Sequence, residues 1–365
     1  ICIFDPEKHD GKRLNQEQLH ADIIVFQCPW SQGILDTVKL IKSGKAFGKN
    51  QKVVIELDDN LFDVDPWNEK YYLFGIEEKM ITVTKDDPVT QGNLIKNLEN
   101  DPTLRYEIDE NGSLKCDMWK DGSNSFCISA NLIKRRATEE LLNIVDLITV
   151  TTPELGKQLR KHAPKTKIAV LPNYVDFDRW LPMEKNETEE IRIGYQGGSS
   201  HFDDLRLVIS DLEKINKKYN SGDNKRVKFC FMGIQYNSLF KGLGDQVEYF
   251  PWYSDINTYP LMLNIGIAPL KETTFTKGKS PLKWIEYSAL KIPSVCSPVV
   301  YGNYIKHNKT GVVARNGEWF ECLDDLIQNK DKRKEIAENA YNRVKLKYSE
   351  ECSDIWINAY RDLIK

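Results

Sequence analysis

Residues 191–205 read IRIGYQGGSSHFDDL, an apolar run that ends in Gly197 and Gly198 and leads into a helical pattern. A short continuous run of this kind suits a strand buried on both faces, as in a parallel sheet. Glycines at its carboxyl end let backbone N–H groups approach a phosphate, and the helix that follows adds positive potential. Ser199 and His201 stand in the same turn. A plain strand-to-helix turn reads the same way. The spacing is not G-x-G-x-x-G, so a nicotinamide enzyme is unsupported.

Outward from this turn the pattern repeats. Downstream, DLRLVISDLEKINKKY (204–219) reads as a helix, VKFCFMG (227–233) as a strand closing on Gly233, and VEYFPW (247–252) and NIGIAPL (264–270) as strands. SPLKWIEYSALK (280–291) is a helix, IPSVCS (292–297) and GVVA (311–314) are strands, and helical segments run to the end. Upstream, ADIIVFQ (21–27), KVVIELDD (52–59), DLITVTT (146–152) and KIAVLPN (167–173) are strands. The segments GILDTVKLIKSG (33–44), RRATEELLNIV (135–145) and TPELGKQLRKH (152–162) between them are helical. Strands alternating with helices predict an α/β chain of two doubly wound, Rossmann-like domains. The expected boundaries are 1–173, 174–345, and a terminal helix over 346–365 that crosses back to the first domain. One stretch breaks the alternation: LRYEIDENGSLKCDMW (104–119) alternates about Asn111 and Gly112, a hairpin signal. Residues 63–130 therefore read as an insertion, serving either as a lid or acceptor platform or as a packing decoration.

Composition sets the class. At roughly 150 residues per domain, a chain of 365 residues accommodates two. Hydrophobic residues are 41% and charged residues 29%, which excludes disorder as the main state. Lys and Arg number 51 against 54 Asp and Glu, a net charge of −3, so a strongly basic nucleic-acid or membrane-surface binder is not the default. No apolar run reaches about 18 residues, so no membrane span is expected, and no signal-peptide pattern opens the chain. The chain begins at Ile1 inside a strand-like run, so an upstream segment is expected. The eight cysteines form no Cys-x-x-Cys and no zinc spacing. Buried free thiols in a reducing cytoplasm are the expectation.

Two further constellations carry chemistry. In KGKSPLKWIE (277–286), Ser280 suits an N-cap and Pro281 the first helical turn, with Leu282 behind them. Lys277 and Lys279 stand just before that helix start, and cations beside free N–H groups form an anion site of the kind a nucleotide diphosphate needs. Glu286, about one turn further in, can accept hydrogen bonds from ribose hydroxyls. The alternative is a solvated, capped helix start. The third constellation is Glu56-Leu57-Asp58-Asp59-Asn60, at the carboxyl end of a first-domain strand. Ligands of open α/β sheets bind at that edge. Asp58 and Asp59 there could bind sugar hydroxyls, act as a base or hold a metal, and Asp59 or Asn60 could instead cap a helix. Gly44–Lys49 falls short of a phosphate-binding Walker loop, and no Gly-x-Ser-x-Gly elbow occurs. Among the histidines only His201 lies beside a candidate loop.

Taken in this order, IRIGYQGGSSHFDDL, VKFCFMG, VEYFPW, IGIAPL, KGKSPLKWIEYSALKIPSVCS and YGNYIKHNKTGVVA resemble the nucleotide-sugar half of a GT-B glycosyltransferase of the family-4 kind, over about residues 191–350. VVIELDDNLFDVD and DLITVTTPELGKQL with KIAVLPNYVDFDRW are similar to acceptor domains of bacterial and phage members. The resemblance implies two Rossmann-like domains facing a cleft, and sugar transfer from a nucleotide-diphosphate sugar, with retention and no metal cofactor. It implies Gly197, Gly198 and Ser199 at the diphosphate, with Lys279 neutralising it. Ser280, Pro281 and Leu282 would supply helix-start backbone, and Glu286 would hold the ribose. Trp252 and Tyr253 would border the base, and Asp58 and Asp59 would face the sugar or acceptor. Many members carry Glu-x7-Glu here, but the residue eight before Glu286 is Gly278. Sugar recognition would then fall to Lys277 or Glu272. The expected acceptor is a glycan or small molecule. The alternatives are a nucleic-acid base, a sugar-nucleotide epimerase and a nucleotide-sugar binder without turnover.

Overall fold

Ile/Val-rich runs too apolar for a half-exposed sheet become the buried strands of two parallel sheets. The computed structural model describes residues 2–4, 20–44, 51–85, 91–92, 94–95, 104–182, 190–222, 225–251, 263–349 and 352–365. In the first sheet the strands Cys2–Phe4, Ile23–Gln27, Lys52–Leu57, Leu147–Val150 and Ile168–Val170 lie side by side in chain order, all parallel. In the second, the spatial order is Val247–Phe250, Val227–Met232, Ile191–Gln196, Ile265–Ala268, Ser294–Cys296 and Val312–Val313, again all parallel. The chain thus fills the second sheet outward from Ile191–Gln196 in one direction and then the other. That reversal is the doubly wound arrangement and creates a crevice between Ile191–Gln196 and Ile265–Ala268.

Side-chain alternation decides what covers each face. On one face of the first sheet Ile24, Phe26, Val53, Ile55 and Ile148 pack against the helices Gln32–Lys42 and Ile128–Ile144. The residues between them, Ile23, Val25, Val54 and Leu147, point the other way and are covered by Trp356 and Tyr360 of the helix Asp354–Arg361. The Trp356 indole N–H donates to the Pro172 carbonyl at 3.1 Å. The last helix of the chain therefore closes the first lobe. In the second lobe Ile193, Tyr195, Phe229 and Phe231 face one layer and Cys230, Met232, Trp284 and Tyr287 the other.

Two local expectations are corrected. The stretch 204–219 is not one helix but two, Phe202–Arg206 and Ile209–Tyr219. The Asp204 carboxylate is drawn toward His201 and Lys271, and Leu207 and Val208 make tight turns back to Asp204 and Leu205. The hairpin forms, but Asn111-Gly112 is not a two-residue turn. Tyr106–Ile108 and Leu114–Trp119 are joined by residues 109–113, where the Asp109 carboxylate accepts the N–H groups of Asn111 and Ser113 at 2.9 Å each. A third strand, Lys79–Val83, completes an antiparallel sheet that the sequence did not signal. The Walker-like run after Gly44 lies outside the described residues. Cys28, Cys116, Cys127, Cys230, Cys296, Cys322 and Cys352 are free, and among the described residues no helix is long and apolar enough to cross a membrane.

The lobes are joined by a second-lobe segment that the first lobe holds. Phe275, 2% exposed, sits in a cluster with Leu61, Val64, Tyr71 and Phe126. Truncating a buried Phe costs about 3–5 kcal/mol. Because Phe275 belongs to one lobe and its neighbours to the other, that cost falls on lobe docking. Phe275→Ala is expected to speed hydrogen exchange at residues 61–64 and 273–278 while leaving the strand Val227–Met232 protected, and exchange mass spectrometry checks this.

Candidate functional site

The crevice where strand order reverses is the place at which a doubly wound sheet offers its strand ends to a ligand. Here the strand Ile191–Gln196 ends, and the chain passes through Gly197 and Gly198 into the turn Ser199–His201. Gly197 must be glycine, because an added Cβ would lie 2.5 Å from the Tyr195 hydroxyl oxygen. Its N–H donates to the Met232 carbonyl at 3.1 Å, so Gly197 extends the sheet and offers no donor to a ligand. Gly198 has open space beyond its Cα. Gly233 ends the neighbouring strand with φ of 79°, the left-handed region that favours glycine.

Behind the loop, buried His201 and Asp204 meet at 2.7 Å between Nδ1 and Oδ2. The other Asp204 oxygen accepts the Lys271 N–H at 2.7 Å, tying the loop after one central strand to the loop after the next. Burial pushes the Asp204 carboxyl up to about 6. Burial, with the charges of Lys283 and Lys279, holds His201 well below the ordinary imidazole range. The histidine is therefore neutral at physiological pH.

The helix Leu282–Ala289 is placed by one tyrosine. The Tyr287 hydroxyl accepts the Gln196 N–H at 3.3 Å and reaches the Ile267 carbonyl at 3.4 Å. An added Cβ on Gly266 would stand 2.7 Å from the Tyr287 ring, so glycine there lets the helix approach the sheet. Glu286 is brought to the end of the glycine strand, accepting from the Gln196 side-chain amide at 3.3 Å. The helix start differs from expectation: Pro281 occupies the N-cap position, and no side chain caps it. Ser280 instead accepts from the Asn173 amide of the first lobe at 3.0 Å. The N–H groups of the first turn are left without a side-chain cap.

One residue the reading of the sequence passed over lies at the centre. Lys283 precedes Glu286 by three residues, so the two share a face of the helix, and Lys279 stands just before the helix start. The Lys283 ammonium lies 5.1 Å from the Tyr195 ring centroid, beneath the glycine loop. Burial, then repulsion from Lys279, pushes Lys283 below the ordinary lysine range, while burial pushes Glu286 above the ordinary carboxylate range. Neither residue is fully enclosed, so solvent moderates both effects. The spacing Lys-x3-Lys-x2-Glu was the available signal for Lys283. Asp204 had none, since its value depends on the loop that folds onto it.

The first lobe faces this helix with Asp58, Asp59 and Asn60. Asp59 meets the Lys279 ammonium at 2.9 Å, both side chains largely buried. Asp58 is exposed and accepts from the Cys28 thiol at 3.0 Å. Burial and that carboxylate push the Cys28 thiol far up, so it is not a nucleophile. Asn60 caps the short turn Leu61–Asp63. The carbonyls of Gly278 and Thr274 accept from Thr152 and Gln158, each at 2.8 Å. An added Cβ at Gly278 would stand 2.9 Å from the Gln158 amide oxygen, so a glutamate there would need the Gln158 side chain, which bonds Asn60 and Thr274, to shift. Lys277 and Glu272 pair with each other at 2.9 Å on the exposed surface. Leu282 is exposed. Only the backbone of Ser199 is described, and Trp252 and Tyr253 lie outside the described residues. No three metal-ligating side chains converge among the described residues.

No protein-family model and no curated protein sequence matches the chain. Its fold does match solved structures. Sucrose-phosphate synthase from Thermosynechococcus elongatus superposes with a TM-score of 0.60 at 12% identity, over 94% of this chain and 74% of that one. HepE from Anabaena, solved with UDP and glucose, gives 0.58 at 12% identity, over 95% and 79%. TarM from S. aureus, solved with fondaparinux, alpha-GlcNAc-glycerol and UDP, gives 0.56 at 15% identity, over 94% and 56%, so the chain spans little more than half of TarM. The likeness is one of fold: two Rossmann-like lobes about a cleft, the GT-B architecture.

The His201–Asp204 pair has a pH signature. Asp204, with its folded pKa raised to about 6 from 3.8, adds stability that is present at low pH and lost as pH rises through the folded value. His201, with its folded pKa lowered, adds stability that is present above its ordinary value and lost on acidification. The two offset each other. Relative to the parent chain, Asp204→Asn should lose melting temperature as pH falls from about 7.5 to about 5.5, and His201→Gln should gain it, as read by thermal melts across that range.

Proposed function

We propose that the chain transfers a glycosyl unit from a nucleotide-diphosphate sugar to a glycan or small-molecule acceptor, with retention and without a metal. The observation that carries this reading is the convergence of Lys279, Lys283, an uncapped helix start and Glu286 on the glycine loop at the strand-order reversal. Lys279, just before the helix, and Lys283, in its first turn, repel each other, and an anion between them relieves that repulsion. A diphosphate meets that need, and the helix N-terminus adds backbone donors. The UDP in the HepE and TarM structures supports carrying this ligand class over to a chain of the same fold. Retention rests on the family-4 resemblance, and a cytoplasmic setting on the free cysteines.

In this account the donor diphosphate takes Lys279 from Asp59. Breaking the sugar–phosphate bond leaves a nucleotide diphosphate of increased negative charge and a sugar of oxocarbenium character. Lys279, Lys283 and the helix start stabilise the leaving group, the part that a metal would otherwise play. Glu286 accepts from a ribose hydroxyl. Asp59, released from Lys279, faces the sugar together with Asp58. A second reading, donor binding without turnover, draws on Gly278, which removes the sugar-contacting glutamate of many family-4 members.

Release of nucleotide diphosphate and transfer of sugar, followed by mass spectrometry across UDP-, GDP-, dTDP- and ADP-sugars, separates the two readings. Lys279→Ala is expected to lower turnover by about 10²–10³-fold, the scale for losing one transition-state donor, in a protein that stays folded, as circular dichroism checks. Nucleotide affinity should weaken from about pH 7 to about pH 9, as Lys283 loses its proton below the ordinary lysine value. Titration calorimetry of Lys283→Met should show a flatter profile.

A further inference from the structure

The segment Phe62–Lys79, which opens the insertion, lines an open cavity of about 510 Å³ against the start of the helix Thr274–Lys277. That volume is within the roughly 300–1,000 Å³ of small-molecule sites. The cavity meets the crevice holding Lys279 at two shared residues, Asp65 and Thr273. It lies between the lobes, beside the glycine-loop site and distinct from it.

Its lining has a definite chemistry. Phe74 supplies half-buried aromatic surface, backed by the buried rings of Phe62 and Tyr71. Phe62 and Phe74 are fixed edge-on against Trp30, with centroids 5.7 Å and 5.4 Å away. The Arg135 guanidinium covers the Phe62 ring at 5.0 Å and donates to the Phe62 carbonyl at 3.0 Å. The acids in the lining are Asp63, Asp65 and Glu77, against the cations Lys79 and Arg135. Asp63 is held by Lys161 at 2.8 Å and Glu77 by Lys79 at 2.5 Å. One Asp65 oxygen accepts the Trp67 N–H at 2.9 Å. The cations therefore do not outnumber the acids, and a polyanion such as nucleic acid would find no surplus positive charge. The Phe74 ring beside carboxylate acceptors suits a ligand ring with C–H surface and hydroxyl donors.

We propose that this cavity is the acceptor subsite and takes a neutral carbohydrate, held on the Phe74 ring and the Glu77 carboxylate with its reacting end over Asp65 and Thr273 toward Lys279. The proposal rests on the glycosyl-transfer reading and names the acceptor class for it.

Saturation-transfer NMR on the full chain tests it, with methyl α-glucoside and maltose as neutral probes and a short oligothymidylate as the anionic probe. The nucleoside diphosphates of uridine, guanosine, thymidine and adenosine serve as separate donor-site probes. The parent chain should transfer saturation to a neutral probe and not to the oligonucleotide. Phe74→Ala and Glu77→Gln should each weaken the neutral probe about tenfold, the equivalent of one good contact, without changing nucleotide binding. Glu77 is exposed, so Glu77→Gln reports even if Phe74→Ala does not fold. Three outcomes overturn the proposal: no transfer to either neutral probe, equal transfer in both variants, or transfer to the oligonucleotide alone. Failure of all four nucleotides to bind strikes the glycosyl-transfer reading instead.

Discussion

The Lys279 ammonium and the Asp59 carboxylate meet at 2.9 Å across the seam between the lobes, and the organisation of the cleft depends on that contact. Lys279 belongs to a short segment that the second lobe supplies and the first lobe grips. Thr152 and Gln158 hold its carbonyls, Asn173 its Ser280 hydroxyl, and the Leu61–Phe126 cluster its Phe275 ring. Such a pair is well formed only while both partners stay out of water, and either carboxylate or diphosphate can satisfy the lysine. The crevice beside it holds only about 20 Å³ of free space. A ligand entering there therefore acts on the pair and on the relation between the lobes together.

The same economy of buried charge runs through the second lobe. Lys283 and Glu286 sit on one helix face, with His201 and Asp204 behind the glycine loop, and burial moves each group toward its neutral form. Gly197, Gly266 and Gly278 make this possible, because each is a place where a Cβ would collide with a side chain that positions the site. At Gly278 the crowding atom is the Gln158 amide oxygen, 2.9 Å from where a Cβ would stand.

Much of this was legible in the sequence, for physical reasons. Strands buried on both faces must be continuously apolar, so KVVIEL and IRIGYQ announce a parallel sheet, and glycine at a strand end announces a turn that backbone must crowd. Asp59 and Lys279 were each visible as candidates, but nothing 220 residues apart in a single chain reveals that they pair. Lys283 was legible in its spacing and passed over, because a lysine inside a helix reads as a solvated face until the helix is seen packed beneath Tyr195. The break after Arg206, the free helix start at Pro281 and the strand Lys79–Val83 were not legible, because tertiary hydrogen bonds and pairing override local propensity there.

The central claim is that a nucleotide diphosphate binds at the strand-order reversal and replaces Asp59 on Lys279. Hydrogen-exchange mass spectrometry with and without UDP, GDP, dTDP and ADP tests it most directly. The account predicts that one nucleotide slows exchange at residues 197–204 and 279–286 and leaves the strand Lys79–Val83 unchanged. Protection by none of the four, or protection confined to other segments, would contradict it.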